Sequence, residues 1–556
     1  MDILLVASAF NSLSQRVYAE LSDLGHHVEV VLATHGPDAV RSAVRDRRPE
    51  LIIAPMLKTA LPGDVCRDHT CLVVHPGPPG DRGPSSLDWA VAGQAPRWGV
   101  TVLQAETAVD AGAVWASEPF PVEPVGKSDL YRNEVADAAL TAVHEAVRRY
   151  AEGSYKPVPQ SDPSIHGRIV WRDVFRQTRR RIDWAADDTE TVLRKLRGAD
   201  SQPGVLDELL GRELFLHGGH PEDRLRGRPG ELLATRAGAV CRATRDGAVW
   251  IPELRPRKTS GDPAPFRRPA ADVLASPGLP DSPAPLELPP DRRTWTDIRY
   301  RQRGDVGYVT FSFPGGAMST DHCRRLLAAY EYALARPTRV LVLGGHRDFF
   351  SNGIHLNVIE AAPDPAEESW ANLNAMDDLV EAVLRTTDRL VVAALAGNAA
   401  AGGAMLALAA DEVWCRTGAV LNPHYRRMGL YGSEFWTYSL PRRAGAETAR
   451  RLTEEAQPVS AATAARTGLV DRLLPVPAQR FAAEVAELAA ELAAAPDLGR
   501  RLVAKAAARE ADEARRPLAA YRKDELDRMR ALFFDPAAAY HSLRSDFVRK
   551  VPGGAR

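Results

Sequence analysis

Residues 73–115 read VVHPGPPGDRGPSSLDWAVAGQAPRWGVTVLQAETAVDAGAVW, and their alternation of apolar, glycine-rich and polar stretches decides the fold of the first half of the chain. The apolar run ending at His75 gives way at once to glycines and prolines, so a strand stops there and a loop begins. SSLDWAVAG continues with helical spacing, WGVTVLQ returns to an apolar strand, and Asp110 falls in the turn VDAG beyond it. Strand, loop, helix and strand in this order predict an open, mostly parallel α/β sheet. Ligands bind such sheets in the crevice at the carboxyl ends of strands, which is where His75 and Asp110 stand. A histidine there can exchange a proton near neutral pH, with a carboxylate orienting it and raising its basicity. The plain alternative is a structural histidine that hydrogen-bonds the end of its strand.

Upstream, DILLVAS, HVEVVLA, LIIAPM and CLVVHPG read as further strands, with SLSQRVYAELSDLG as a helix between the first two. The first strand-to-helix turn, SAFNSLSQR, contains no glycine, which disfavours the G-x-G-x-x-G fingerprint of NAD and FAD sites. Cys66, His69, Cys71 and His75 lie within ten residues, but Cys71 begins an apolar strand whose alternate side chains diverge. No metal site is expected from them.

Downstream, residues 165–260 turn to short strands joined by glycine-containing turns, such as GRELFLHGG and GAVCRATRDGAVWIPEL. They predict a small β-rich domain, a barrel of the OB type. Residues 256–293 are dense in proline, so they form a semi-extended linker or a long ordered loop, with a domain boundary in either case. The α/β rhythm then resumes in YVTFSF, RVLVLGG and RLVVAALAG, with AMDDLVEAVLRTT as an amphipathic helix. From about residue 477 the chain is rich in Ala, Leu, Glu and Arg at helical spacing. The expected domains are 1–160, 161–262, a linker over 263–294, and 295–556 with its helical tail.

The totals agree with several domains: 556 residues exceed what one core supports. A formal net charge of −1 gives no global field for nucleic acid or an anionic membrane, so small-molecule substrates are expected. MDILLVASAF lacks the basic start of a signal peptide, and no apolar run reaches membrane-spanning length. The five scattered cysteines suit a reducing cytoplasm.

On the residues quoted above, the first part of the chain resembles the formyl-tetrahydrofolate-dependent transferases, whose strand ends in N-x-H-P-S-L-L-P-x-x-x-G and whose later D-x-G turn completes the site. The resemblance assigns catalytic roles to His75 and to Asp110 with Gly112. It continues through RRRIDWAADDTETVLRKLRGAD and GAVWIPELRPRK, covering about residues 1–260. The family's asparagine falls at Val73. Losing one oxyanion donor costs about 10²–10³ in rate, so either another donor replaces it or the acceptor is an easier one, which a thiol would be.

Over about 300–475 the chain resembles the crotonase (enoyl-CoA hydratase/isomerase) superfamily, in RDFFSNGIHLNVIE, LAGNAAAGGAMLALAADEVW and the stretch from LNPHY to TGLVDRLLP. That resemblance implies a thioester oxyanion hole made by the N–H groups of Ile354, after Gly353, and Gly402. The superfamily's glutamates are absent: one position is Met405, and the other is His424 or Tyr425, depending on one gap. Hydration of a double bond needs a paired acid and base, so ordinary hydration is not expected. Tyr425, Tyr431, Glu434 and His424 are the candidate replacements, with plain packing as the alternative for each.

FNSLSQR, VHPGPPGDRGPSSLDWA, SDLYRNEV and NPHYRRMGLYGSEFW, on a chain joining both modules, resemble the HypX (HoxX) family of hydrogenase-maturation proteins. The resemblance implies formyl transfer from formyl-tetrahydrofolate to coenzyme A, then cleavage of formyl-CoA to carbon monoxide and CoA. The carbon monoxide would become a ligand of nickel–iron hydrogenase, with a hydrogenase large-subunit precursor or other maturation proteins as partners. Candidate contacts for cofactor are Gln15, Arg16, Arg132, Arg544, Arg549 and Lys550, with Ser201 and Gln202 for the pantetheine arm. Release of formate, or a non-catalytic folate- or CoA-binding scaffold, are the rival readings.

Overall fold

The computed structural model describes residues 1–551 except 166, 276, 277 and 346. The expected spans 161–262, 263–294 and 295–556 include these positions and 552–556, which lie outside the described residues. The described residues divide into two compact units: Met1–Ser282 with Arg293–Trp295, and Pro283–Arg292 with the chain from Thr296 to Val551.

In the first unit, six strands lie in the order His27–Leu32, Asp2–Ala7, Leu51–Ala54, Cys71–His75, Arg97–Gln104 and Val114–Pro121. The first four are parallel and the last two antiparallel. Helices cover both faces, which is why the central strands read as unbroken apolar runs rather than alternating ones. Ile3 and Leu5 pack with Leu13, Val17 and Val143 on one face, while Leu4 and Val6 pack with Val40, Val44 and Ile52 on the other. The helix Ser12–Asp23 starts where the Asn11 side chain accepts the Ser14 amide.

The barrel expected over 161–262 does not close among the described residues. Two four-stranded antiparallel sheets form instead. One is Arg268–Pro269, Glu253–Pro256, Arg212–His217 and Val205–Leu209; the other is His220–Glu222, Ala248–Ile251, Ala239–Ala243 and Leu232–Arg236. The chain changes sheet twice, at Gly218–Gly219 and at Pro252, which has no N–H to offer a ladder. The corners touch, since a Cβ on Gly218 would stand 2.7 Å from the Pro252 ring. Leu214, Leu216 and Leu254 from one sheet meet Val240, Val249 and Ile251 from the other, capped by Val192, Leu193 and Leu196 of the helix Thr189–Ala199. Part of the stretch expected as linker belongs to this core: Arg268–Pro269 adds a strand, and Ala270, Val273 and Leu274 of the helix Ala270–Leu274 are buried.

In the second unit six strands run in the order Ile298–Arg303, Val306–Phe311, Val340–Gly345, Leu390–Leu395, Glu412–Arg416 and Arg472–Leu474. Only the first pair is antiparallel. Val309, Leu341, Leu343 and Val391 face the main core, and Val306, Tyr308, Val340 and Val392 face a second cluster closed by the helix Ala478–Ala494. A small sheet of Ala399–Ala400, Val420–Asn422 and Val459–Ser460 stands beside the helix Gly402–Leu408. Helices Leu498–Arg515, Leu518–Phe534 and Ala539–Arg549 complete the unit. No described helix is long and apolar enough to cross a membrane.

Candidate active sites

His75 closes its strand with Leu72 and Val74 turned into the core, so Val73 and His75 share the opposite face. The imidazole is buried between two carboxylates. Nε2 lies 3.2 Å from Asp81 Oδ2, and Nδ1 lies 3.5 Å from Asp110 Oδ1. Asp110 sits at φ 52° and accepts the Gly83 amide at 3.0 Å. The Gln160 amide group donates to the carbonyls of Asp110 and Gly112, each at 2.8 Å, and so ties down the whole turn. Gly112 is required for a reason separate from φ: a Cβ there would stand 1.8 Å from the Gln104 carbonyl oxygen.

Asp81 is bonded by His75 and by the Arg172 guanidinium. Burial pushes this carboxyl up, but His75, Ser86 and Arg172 outweigh it and hold it below its ordinary value. Arg172 comes from a strap in which Val170–Trp171 pairs with Asp81–Arg82. The glycine loop leaves room for it: a Cβ on Gly80 or Gly83 would meet the carbonyls of Arg168 or Arg172. Gln160, Asp81 and Arg172 were not anticipated. Asp81 lies inside the quoted motif but at no periodic spacing, and nothing in the sequence marks the other two.

The cofactor candidates are hydrogen-bonded within their own units. Arg16 bonds Glu20 at 2.6 Å and Asp137 at 2.5 Å, and Gln15 donates to the Phe10 carbonyl. Arg132 reaches Ser128 Oγ at 3.2 Å. Ser201 has φ 68°, and Gln202 accepts from Lys58 on its side chain and from Lys127 on its carbonyl. Arg544 and Arg549 converge on Glu360, at 2.9 and 3.2 Å, and Lys550 ends the last helix in the left-handed conformation.

In the second unit, Gly353 and Gly402 come together: a Cβ on Gly353 would stand 3.1 Å from the Gly402 nitrogen. Gly402 opens its helix, where amides lack intrahelical partners and favour negative charge. Glu434 faces it directly, because a Cβ on Gly402 would be 2.3 Å from Glu434 Oε1. The other oxygen, Oε2, accepts the Tyr425 hydroxyl at 2.7 Å and the Ser433 amide at 3.2 Å. Burial, then the charge of Asp377, raises the Glu434 carboxyl well above its ordinary value, and burial raises the Tyr425 phenol.

Tyr431 does not join this pair; its ring packs on Trp436, with the Arg528 guanidinium over it. Met405 is buried in its helix, and His424 Nδ1 bonds the Asn422 carbonyl at 2.9 Å, with burial lowering its pKa. The residues missed here are Asp377 and Glu525. Each sits on the apolar stripe of its helix, among Leu373, Met376 and Val380 or among Leu518, Met529 and Phe533, and that misplaced acid was the available signal.

Residues 301–536 match the family described as enoyl-CoA hydratase/isomerase, and residues 175–264 match the formyl transferase C-terminal domain. The chain is 48% identical to hydrogenase maturation factor HoxX of Bradyrhizobium diazoefficiens over 557 aligned positions, covering 99% of this chain and 95% of the relative. The chain belongs to the HypX/HoxX family. The crystal structure of HypX from Aquifex aeolicus in complex with tetrahydrofolic acid matches with a TM-score of 0.95 at 42% identity, over 99% of this chain and 96% of that one. Methionyl-tRNA formyltransferase of Myxococcus xanthus is 25% identical over 216 residues, 38% of this chain and 67% of the relative. As a HypX/HoxX hydrogenase maturation factor, the chain joins a formyltransferase module to a crotonase-like one.

Proposed function

We propose that this maturation factor makes carbon monoxide in two steps, for delivery to a nickel–iron hydrogenase precursor. In the first, formyl-tetrahydrofolate gives its formyl group to the sulfur of CoA in the N-terminal module. His75, braced by Asp81 and Asp110, moves the protons between nitrogen and sulfur. A thiolate acceptor is nucleophilic enough to suit Val73 in place of an amide donor. The relative that binds tetrahydrofolic acid supports the donor.

In the second step formyl-CoA is split in the crotonase-like module. The amides of Ile354 and Gly402 polarise the formyl carbonyl, which makes its C–H more acidic. The Glu434 carboxylate takes that proton, the C–S electron pair leaves on sulfur, and CO departs. The protonated Glu434 then returns the proton to the thiolate, so that formyl-CoA gives CO and CoA with no redox change. The single observation that carries this reading is the Glu434 carboxyl, bonded by Tyr425 and lying over Gly402 where the two superfamily glutamates are missing.

The test is to give the purified chain formyl-tetrahydrofolate and CoA while following tetrahydrofolate, formyl-CoA and CO together. His75→Ala should slow tetrahydrofolate release by about 10²–10⁴-fold, and Glu434→Gln should slow CO by a similar factor while formyl-CoA accumulates. Formate in place of CO from the wild-type chain, or full CO production by Glu434→Gln, would overturn it.

A further inference from the structure

Glu434 sits in an unusual stretch of backbone. Gly432 has φ 95°, and then Glu434 and Phe435 both take left-handed conformations at 61° and 58°. A non-glycine residue there is strained, so two in a row persist only when the surroundings fix them. Two carboxyls do so. Asp377, fully buried on the helix Pro365–Arg385, accepts the Ser433 hydroxyl at 3.0 and 2.9 Å and the Glu434 amide at 2.8 Å. Glu525, fully buried on Leu518–Phe534, accepts the Phe435 amide at 2.9 Å, the Thr437 amide at 2.8 Å and the Thr437 hydroxyl.

We propose that Asp377 and Glu525 are positioning residues of the crotonase-like site, which together clamp the backbone amides around Glu434, hold its carboxyl over Gly402 and surround it with negative charge. What that position is used for rests on the decarbonylation reading. Backbone anchoring alone does not require acids, since Asn, Gln or Ser accept amides as well. Three buried carboxyls together are costly unless charge is wanted. Arg522 is shared: its Nε is 3.9 Å from Asp377, while its other nitrogens bond Asp378 and Glu381. Other titratable groups around the loop are Tyr425, Tyr431 with Arg528 and Asp524, Tyr438 with Asp512, and Cys323. Among the described residues, no arginine or lysine forms an ion pair with Glu434 itself. As they ionise, Asp377 and more weakly Glu525 oppose the ionisation of Glu434, and so make it a stronger base for the formyl proton.

The experiment uses the full chain with Asp377→Asn and Glu525→Gln, each of which keeps an acceptor oxygen and removes an ionisable carboxyl. The protonated-carboxyl infrared band lost in Glu434→Gln reports Glu434 without substrate. In Asp377→Asn the pH midpoint of that band should fall. The rising limb of CO formation should move to lower pH with it, and the plateau kcat should drop about tenfold, with KM for formyl-CoA unchanged. Glu525→Gln should do the same to a lesser degree, and an unchanged KM for formyl-CoA certifies the second unit of each variant as folded. Wild-type midpoints and pH profiles in both variants would overturn the positioning role while leaving decarbonylation standing. Shifted midpoints in a chain that makes no CO would uphold the clamp and sink the reaction.

Discussion

A Cβ on residue 402 would meet Glu434 Oε1 at 2.3 Å, its Cδ at 2.6 Å and Met376 Cε at 3.0 Å. The glycine therefore leaves room for the carboxyl. Gly402→Ala must displace Glu434 or tilt the Gly402 amide, the proposed oxyanion donor. CO formation from added formyl-CoA should fall about 10²–10³-fold, the loss that follows one misplaced oxyanion donor. Tetrahydrofolate release should be unchanged, because the change lies in the other unit. CO production within a few-fold of wild type would mean that the carboxyl does not occupy this place in the working enzyme. The glycine pair was legible in LAGNAAAGGAM, and so was the absence of both superfamily glutamates. The identity of the residue against the glycine was not, since Glu434 reaches it only through a left-handed turn that no periodicity encodes.

Among the elements, strands buried on both faces announced themselves as apolar runs, and DILLVA and LVVAAL are found as strands. The two-stranded contact between Asp81–Arg82 and Val170–Trp171 had no such signal, because its pairing is only two residues long and spans a wide sequence gap. The sheet change at Pro252 was equally hidden: from sequence, the strands on either side of that proline suit a closed barrel as well as two sheets. The strap matters to chemistry, because its Arg172 holds Asp81 against His75. Gly83 has φ 113°, and a Cβ there would stand 2.0 Å from the Arg172 carbonyl oxygen. Gly83→Ala should lift the strap and also disturb the amide that Asp110 accepts. Formyl transfer should fall by about 10² or more, the lower end of what a positioned acid–base group contributes. Proteolysis should become faster within 167–173, while CO formation from added formyl-CoA continues. A strap as resistant to protease as wild type would show that the loop absorbs the methyl group without letting go.

For the whole molecule, the two units carry ionisable groups tuned in opposite directions. Asp81 in the first unit is held below its ordinary value, so its stabilisation is present above the ordinary carboxyl range and is lost as pH falls through the lowered value. Asp377, Glu434 and Glu525 in the second are raised by burial first, Glu525 from 4.5 to about 8. A raised acid stabilises the folded state fully below its unfolded value, and this is lost as pH climbs through the folded one. The second unit should therefore weaken as pH rises from about 5 to about 8, by up to about 1.4 kcal/mol per pH unit for each such group. Glu525→Gln removes one of them while keeping an acceptor for the Phe435 and Thr437 amides. Near pH 5 the buried acid is neutral, and variant and wild type should be close in stability; by pH 8 to 9 the variant should be the more stable. Hydrogen exchange in peptides from Trp436–Ala444, compared between the two proteins at each pH, reads this directly, because intrinsic exchange rates cancel in the comparison. Protection that runs parallel in the two proteins across the range would mean that Glu525 is already ionised in the folded state. Its bonds to the loop would then be those of an ordinary capping carboxylate, and the alkaline loss of stability would have to come from Asp377 and Glu434 alone.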